Sequence, residues 1–235
     1  MVRAGRICLA LLAPLFLTSC LLTPGRFVST LDIRKDRSFT FTYAGEVVLL
    51  DPASEIGSTP PEVAEGEQAE APPPPPAPAE PKADTPKQVS DRRAMAEALM
   101  KEEGYRSAEY LGQGKFRIDY AVTGTLDRGF IYPFNTDAAA VFPWIAIEVR
   151  KDRTARIRAL AFGEGSTNAA ASMPLPNPSD SPAKERAGTF TLTTDAELVM
   201  QNNEEGVAAG PGTRVAWTIT PTTKTVPTAV VRFAQ

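Results

Sequence analysis

Apolar and polar residues alternate along most of this chain with the period of two that belongs to half-buried β-strands. Residues 26–34 place Phe27, Leu31 and Ile33 on one face, and residues 38–50 do the same with Phe39, Phe41, Tyr43, Val47 and Leu49. Lys35-Asp36-Arg37 joins the two runs as a short turn, so the pattern predicts a β-hairpin. Alternation recurs over 105–111 and 115–125, joined by Gly112-Gln113-Gly114, and over 144–150 and 155–162, joined by Lys151-Asp152-Arg153. It returns over 189–200, 213–220 and 226–233, where Val215, Trp217, Ile219, Val231 and Phe233 mark the inward face. One window breaks the rule. Met95, Ala98 and Leu99 fall at helical spacing, Ser90 or Asp91 stands ready to cap the start, and Gly104 follows where a left-handed C-cap is wanted. About nine strands and one helix in short-turn order predict an α+β fold built mainly on antiparallel sheet.

Two stretches interrupt the pattern. Residues 52–90 contain 11 of the 22 prolines and almost no large apolar side chains. Such a segment cannot bury enough surface to offset its ordering entropy, so it is expected to be disordered with polyproline II character. Residues 163–188 are a milder case, with Pro174, Pro176, Pro178 and Pro182. The proline-rich stretch looks like a domain boundary, yet a hairpin left alone before it would be marginal in water. Its apolar face must cover something that follows residue 90. The expectation is therefore one domain over 26–235, with 52–90 as a long excursion from it.

The N-terminus has a different character. Arg3 and Arg6 precede an apolar run over 7–17, which leads into Leu17-Thr18-Ser19-Cys20. The run is too short to span a bilayer, which takes about 20 residues, and it contains Pro14. The segment resembles the lipobox of bacterial lipoproteins. That resemblance implies a signal peptide over 1–19, cleavage before Cys20, acylation of Cys20 and a lipidated tether over 20–25. The chain would then meet the membrane through its lipid on the periplasmic side. Leu21 in place of Asp after the cysteine resembles the arrangement that permits export to the outer membrane. Cys8 would be removed, so the remaining chain would hold one capped cysteine and could form no internal disulfide. The stretches CLLTPGRFVSTLDIRKDRSFTFTYAGEV and RVAWTITPTTKTVPTAVVRFA resemble lipoproteins of alphaproteobacteria, and more remotely the LppM-type lipoproteins of mycobacteria, which are associated with envelope lipid binding. The likeness covers the two ends of the chain and carries over no functional residue except Cys20.

Composition narrows the chemistry. From Cys20 onward there are 23 basic against 28 acidic side chains, a balance that gives no general attraction to nucleic acid. There is no histidine in 235 residues, which removes the usual general base and the commonest metal ligand. No glycine-rich phosphate loop follows a strand, and no cofactor is expected. Asp119 and Asp127 stand in a plausible region for the carboxylates that a glycan hydrolase would require, but acidic residues near strand ends are ordinary, and no catalytic residue is assigned.

Three features invite a binding role; one is the proline-rich acidic segment, which would bind a partner groove or reach into the peptidoglycan layer, its plainer reading being a solvated loop. Arg34-Lys35-Asp36-Arg37-Ser38 and Arg150-Lys151-Asp152-Arg153-Thr154 repeat one pattern at hairpin tips. If the tips converge near the anchored face, Lys35, Arg37, Lys151 and Arg153 would touch an anionic membrane; the plainer reading is that Asp suits the turn and the cations are solvated. Phe130, Tyr132, Phe134, Phe142 and Trp144, broken by Pro133 and Pro143, would line a ligand mouth or plug the end of the core. The function expected is that of a non-enzymatic envelope lipoprotein binding lipid or another envelope component. The alternatives are a structural or assembly partner that pairs through an open sheet edge, and a carboxylate-dependent glycan hydrolase.

Overall fold

The computed structural model describes residues 21–50, 83–133, 143–163, 182–208 and 212–234. Cys20, Phe134 and Phe142 lie outside the described residues, as do 51–82 and 164–181. The strands are β1 (Leu21–Ile33), β2 (Ser38–Leu50), β3 (Tyr105–Gly112), β4 (Lys115–Thr125), β5 (Phe130–Tyr132), β6 (Ile145–Val149), β7 (Thr154–Arg158), β8 (Ala187–Thr194), β9 (Glu197–Gln201), β10 (Thr213–Ile219) and β11 (Thr228–Arg232); the helix α1 spans Pro86–Leu99. They build a six-stranded sheet in the order β10-β8-β1-β2-β4-β3 and a five-stranded sheet in the order β5-β6-β7-β11-β9. The α+β expectation holds, with eleven strands among the described residues where about nine were read.

The two additional strands have identifiable causes. Residues 189–200 read as one strand but form two, β8 and β9, because the chain passes from one sheet to the other at Asp195-Ala196. The Thr194 hydroxyl accepts the Ala196 amide at 3.0 Å, and the Asp195 carboxylate accepts the Lys35 amide at 2.6 Å. Together they hold the corner. β5 is the short edge strand that the prolines around the aromatic run permit. One pairing departs from the antiparallel rule: β1 lies parallel to β8, in register from Arg26↔Ala187 to Ile33↔Thr194. The connection between them is far longer than a parallel crossover needs.

The inward faces of the two sheets share one core. Phe41 and Tyr43 from β2, Phe116 from β4, Leu31 and Ile33 from β1 and Phe190 from β8 are fully buried against Ile145, Ile147 and Ile157 of the opposing sheet. β1 and β2 occupy the middle of the six-stranded sheet, paired from Leu21↔Leu50 to Ile33↔Phe39. The expected hairpin is thus the centre of the fold.

Two boundaries need correction. The stretch expected to be a tether over 20–25 is already strand, since β1 starts at Leu21 and pairs at once with Leu50. The helix begins at Pro86, inside the stretch expected to be disordered over 52–90, and not at Ser90 or Asp91. Thr85 is its N-cap: the Thr85 hydroxyl accepts the Gln88 amide while the Gln88 side chain accepts the Thr85 amide, with proline at the first helical position. Val89, Arg92, Met95, Ala96 and Leu99 recur at helical spacing on its less exposed side, and the helix packs on β3. Met95 and Ala96 join the same core as Tyr105, Ala108 and Tyr110.

Candidate functional site

The aromatic run is core. Tyr132 and Trp144 are each 3% exposed. The Tyr132 ring lies 4.2 Å from Tyr120, 5.2 Å from Phe41 and 5.6 Å from Trp144, and Phe130 packs 4.9 Å from Phe39. The Trp144 ring also packs tilted against Tyr43, 5.0 Å between centroids, and Trp144 donates its indole N–H to the Leu22 carbonyl at 3.0 Å. These rings fill the gap between the sheets, so among the described members the run plugs the core. Burial pushes the Tyr120 phenol up to about 12 and raises those of Tyr105 and Tyr132. All three are therefore protonated near neutral pH and supply neither nucleophile nor base.

The carboxylate pair does not form. Asp119 sits on the outer face of β4, opposite Ala44, while Asp127 lies in the turn beyond β4. The six residue steps from Asp119 to Thr125 alone advance about 20 Å. A glycosidase pair needs its carboxyls about 5–10 Å apart. Among the described residues no group of three metal-binding side chains gathers either.

The two Arg-Lys-Asp-Arg turns are copies of one device. In each, the first arginine's amide donates to the hydroxyl residue's carbonyl at 2.8 Å, Arg34 to Ser38 and Arg150 to Thr154. Asp36 accepts the Ser38 amide and hydroxyl, and Asp152 accepts those of Thr154. These side-chain and backbone hydrogen bonds hold both carboxyls below their usual range. The last arginine takes the left-handed conformation, with φ of 72° at Arg37 and 64° at Arg153. The repeat is therefore what this turn demands.

The tips also meet. The Arg37 guanidinium lies 5.3 Å over the Phe233 ring, and the Phe233 amide donates to the Arg153 carbonyl at 3.0 Å. Lys35, Arg37, Lys151 and Arg153 therefore share one end of the molecule. Arg34 and Arg150 pair with Asp32 and Glu148, which moderates the local charge. However, this is the end of β1 away from residue 20. Thirteen strand residues separate the two ends by about 40 Å. The expectation that these cations lie beside the anchored face fails for that reason.

The opposite end holds a cluster that the sequence reading missed. Asp84 accepts hydrogen bonds from Arg92, from the Tyr110 hydroxyl and, at 2.7 Å, from the Gln113 amide. Arg92 donates to the Tyr110 oxygen at 3.0 Å, and both charged side chains are nearly buried. The Leu49 amide reaches the Gly114 carbonyl at 2.8 Å, so the end of β2 and the approach to α1 meet at the same turn. The described residues that flank 51–82 thus lie at one place. Thr85-Pro86-Lys87-Gln88, a capping box inside a proline-rich stretch, was the signal that would have revealed it.

Burial opposes ionisation of Asp84, but the hydrogen bonds from Tyr110, Gln113 and Arg92 outweigh it and hold the carboxyl below its ordinary value. A carboxyl depressed on folding stabilises fully above its unfolded pKa of about 3.9, and that contribution is lost as pH falls through the folded value. Asp84→Asn should cost on the order of 2 kcal/mol at neutral pH, as expected for a charge-assisted hydrogen bond lost from a nearly buried site. Urea unfolding should show the gap between wild type and mutant narrowing below about pH 4. A gap independent of pH would show that the Asp84 charge is not what stabilises the cluster.

No family model matches this chain, and none of the curated proteins matches it. Among solved structures, the folded domain of the Mycobacterium tuberculosis LppM protein is similar at 15% sequence identity and a TM-score of 0.35, over 91% of this chain and 92% of that one.

Proposed function

We propose that the chain is a lipid-anchored, non-enzymatic envelope lipoprotein whose folded domain binds another envelope component through its surface. The observation that carries the anchored reading is the apolar run over 7–17 leading into Leu17-Thr18-Ser19-Cys20, and β1 starts at Leu21, immediately after it. A lipid on Cys20 would leave no spacer, and the domain would sit directly on the bilayer. No helix among the described residues is long and apolar enough to cross a membrane. The apolar run, the small residues and Cys20 supply the anchor in this reading.

Surface binding is preferred to an enclosed lipid because Tyr132 and Trp144, the candidates to line a cavity, are spent on packing. The outer face of the six-stranded sheet is one surface available for this. It carries rows of polar residues, with Thr30 and Thr42 in one register and Thr193, Asp32, Thr40 and Thr123 in the next, while Thr191 beside Thr30 is buried. The Thr30 and Thr42 hydroxyls lie 2.6 Å apart. Such a face suits a partner rich in hydrogen-bonding groups. A non-enzymatic role is favoured by the lack of histidine and by the separation of Asp119 from Asp127.

Membrane fractionation of Cys20→Ser tests the anchor. The mutant should leave the membrane fraction or persist as an uncut precursor, because stable attachment requires more than one acyl chain or a second signal. A matured, membrane-bound mutant would overturn the reading. Native mass spectrometry tests the mode of binding: a lipid retained beyond the anchor itself would favour an enclosed ligand.

A further inference from the structure

The β1–β2 hairpin is fastened along both edges, on its inner face and at both ends by residues that come after 51–82. Along one edge β1 pairs with β8 from Arg26↔Ala187 to Ile33↔Thr194; along the other β2 pairs with β4 from Ser38↔Thr125 to Val48↔Lys115. On the inner face Phe27 stacks 4.4 Å from Phe162, Phe41 packs 5.2 Å from Tyr132 and Tyr43 packs 5.0 Å from Trp144. At one end the Trp144 indole donates to the Leu22 carbonyl at 3.0 Å, and the Leu49 amide donates to the Gly114 carbonyl at 2.8 Å. At the other end the Leu126 amide donates to the Arg37 carbonyl at 2.8 Å, and Asp195 accepts the Lys35 amide at 2.6 Å. The second flank of 51–82 is fastened separately, because Asp84 accepts hydrogen bonds from Arg92, Tyr110 and Gln113. Both flanks are thus held by partners later in the chain.

We infer that the strands following residue 104 form a slot between β8 and β4 whose ligand is the chain's own hairpin, residues 21–50, and that this pairing holds without covalent continuity through 51–82. A chain cut in that segment remains one fold made of two polypeptides. The covalent link contributes an effective concentration, on the order of 1 mM for a short flexible linker. Removing it makes the pairing bimolecular but leaves both backbone ladders and every buried ring in place. Dissociation would have to open the two ladders and expose Phe27, Leu31, Ile33, Phe39, Phe41 and Tyr43 together, which makes it slow. The free hairpin would be marginal in water, so it has no competing fold to leave for. A second consequence rests on the anchored reading. With Cys20 acylated, the hairpin carries the lipid, and it keeps residues 83–235 on the membrane after the segment is cut.

The full chain with a site-specific protease sequence inserted after Gly66, cleaved under native conditions, tests both statements. The two fragments should elute together in size-exclusion chromatography, and native mass spectrometry should read their summed mass. The melting temperature of the cut chain should rise with protein concentration, as for any fold made of two chains, while that of the uncut chain stays constant. Fragments that elute apart, or a C-terminal fragment that precipitates once the link is cut, would overturn the inference. So would a cut chain whose melting temperature ignores concentration, since one fragment would then fold alone. Membrane fractionation before and after cleavage separates the slot from the anchor. On membranes the C-terminal fragment should stay in the pellet without loss and leave it in urea. A membrane-bound chain that sheds this fragment on cleavage sinks the slot and leaves the anchor standing. An uncut chain in the soluble fraction whose fragments still elute together sinks the anchor and supports the slot.

Discussion

Deleting residues 26–50 should abolish cooperative folding, whereas exchanging residues 51–82 for a Gly/Ser linker of about eight residues should leave it intact. The deletion removes the two central strands of the six-stranded sheet and leaves β10-β8 and β4-β3 as separate pairs. It also removes Phe27, Leu31, Ile33, Phe39, Phe41, Tyr43 and Val47 from the core. At roughly 2 kcal/mol for each buried side chain, that loss is comparable to the entire net stability of a domain, about 5–15 kcal/mol. The linker exchange touches none of these residues. Two halvings of loop length at about 0.6 kcal/mol each should raise stability by about 1 kcal/mol, or roughly 2–4 °C in Tm for a domain of this size. The exchange must stop at residue 82, because Asp84 and the Thr85 cap belong to the fold. Calorimetry of both variants checks the pair of outcomes. A fragment starting at residue 83 that melts cooperatively at the wild-type temperature would show that the hairpin is dispensable and that the chain is not one domain.

The period-two pattern made the strands legible because each sheet buries one face. The same pattern concealed the corner between β8 and β9. Phe190, Leu192, Thr194, Ala196 and Leu198 are all even positions and all turned toward the core, so the alternation runs through Asp195 without a break. A chain that changes sheets while keeping its inward face leaves no trace in hydrophobicity. The parallel pairing of β1 with β8 was hidden for another reason: two strands separated by more than 150 residues carry no local signal of direction. The clip at Asp84 was obscured by composition, since a window dominated by proline reads as disordered although four of its residues spell out a helix start. The repeated Arg-Lys-Asp-Arg motif was legible as chemistry but ambiguous in role. Its carboxylates and left-handed arginines account for the repetition through turn geometry alone. Its location about 40 Å from residue 20 depends on the length and direction of β1, which pattern does not place in space.

Alanine at Gly45 or Gly188 should destabilise the domain by on the order of 3 kcal/mol, the upper range for overpacking a filled site. Both glycines flank Phe27 at the one place where β1 changes register against β2, between Pro24 and Phe27. There Gly45 is the partner of Phe27 on β2, and Gly188 is its partner on β8. A Cβ at Gly45 would stand 2.6 Å from the Phe27 Cα and closer still to the Arg26 carbonyl oxygen. At Gly188 it would stand 2.9 Å from the Phe27 ring and press on the Phe27 carbonyl. Most of these are backbone contacts, which cannot swing aside as the far end of a flexible side chain can. Room for Phe27 matters because its ring stacks 4.4 Å from Phe162 and 5.4 Å from Tyr43, tying the bulge to the core. The missing side chains at 45 and 188 let the bulged strand approach both neighbours at once. Thermal unfolding of each mutant should show a loss of about 6–12 °C in Tm. Val28→Ala, on the exposed outer face of the same strand, should stay within about 0.5 kcal/mol of wild type. If Gly45→Ala and Gly188→Ala behaved like Val28→Ala, β1 would have to run farther from its neighbours than the pairing at Phe27 requires, and the centre of the six-stranded sheet would be looser than its register implies.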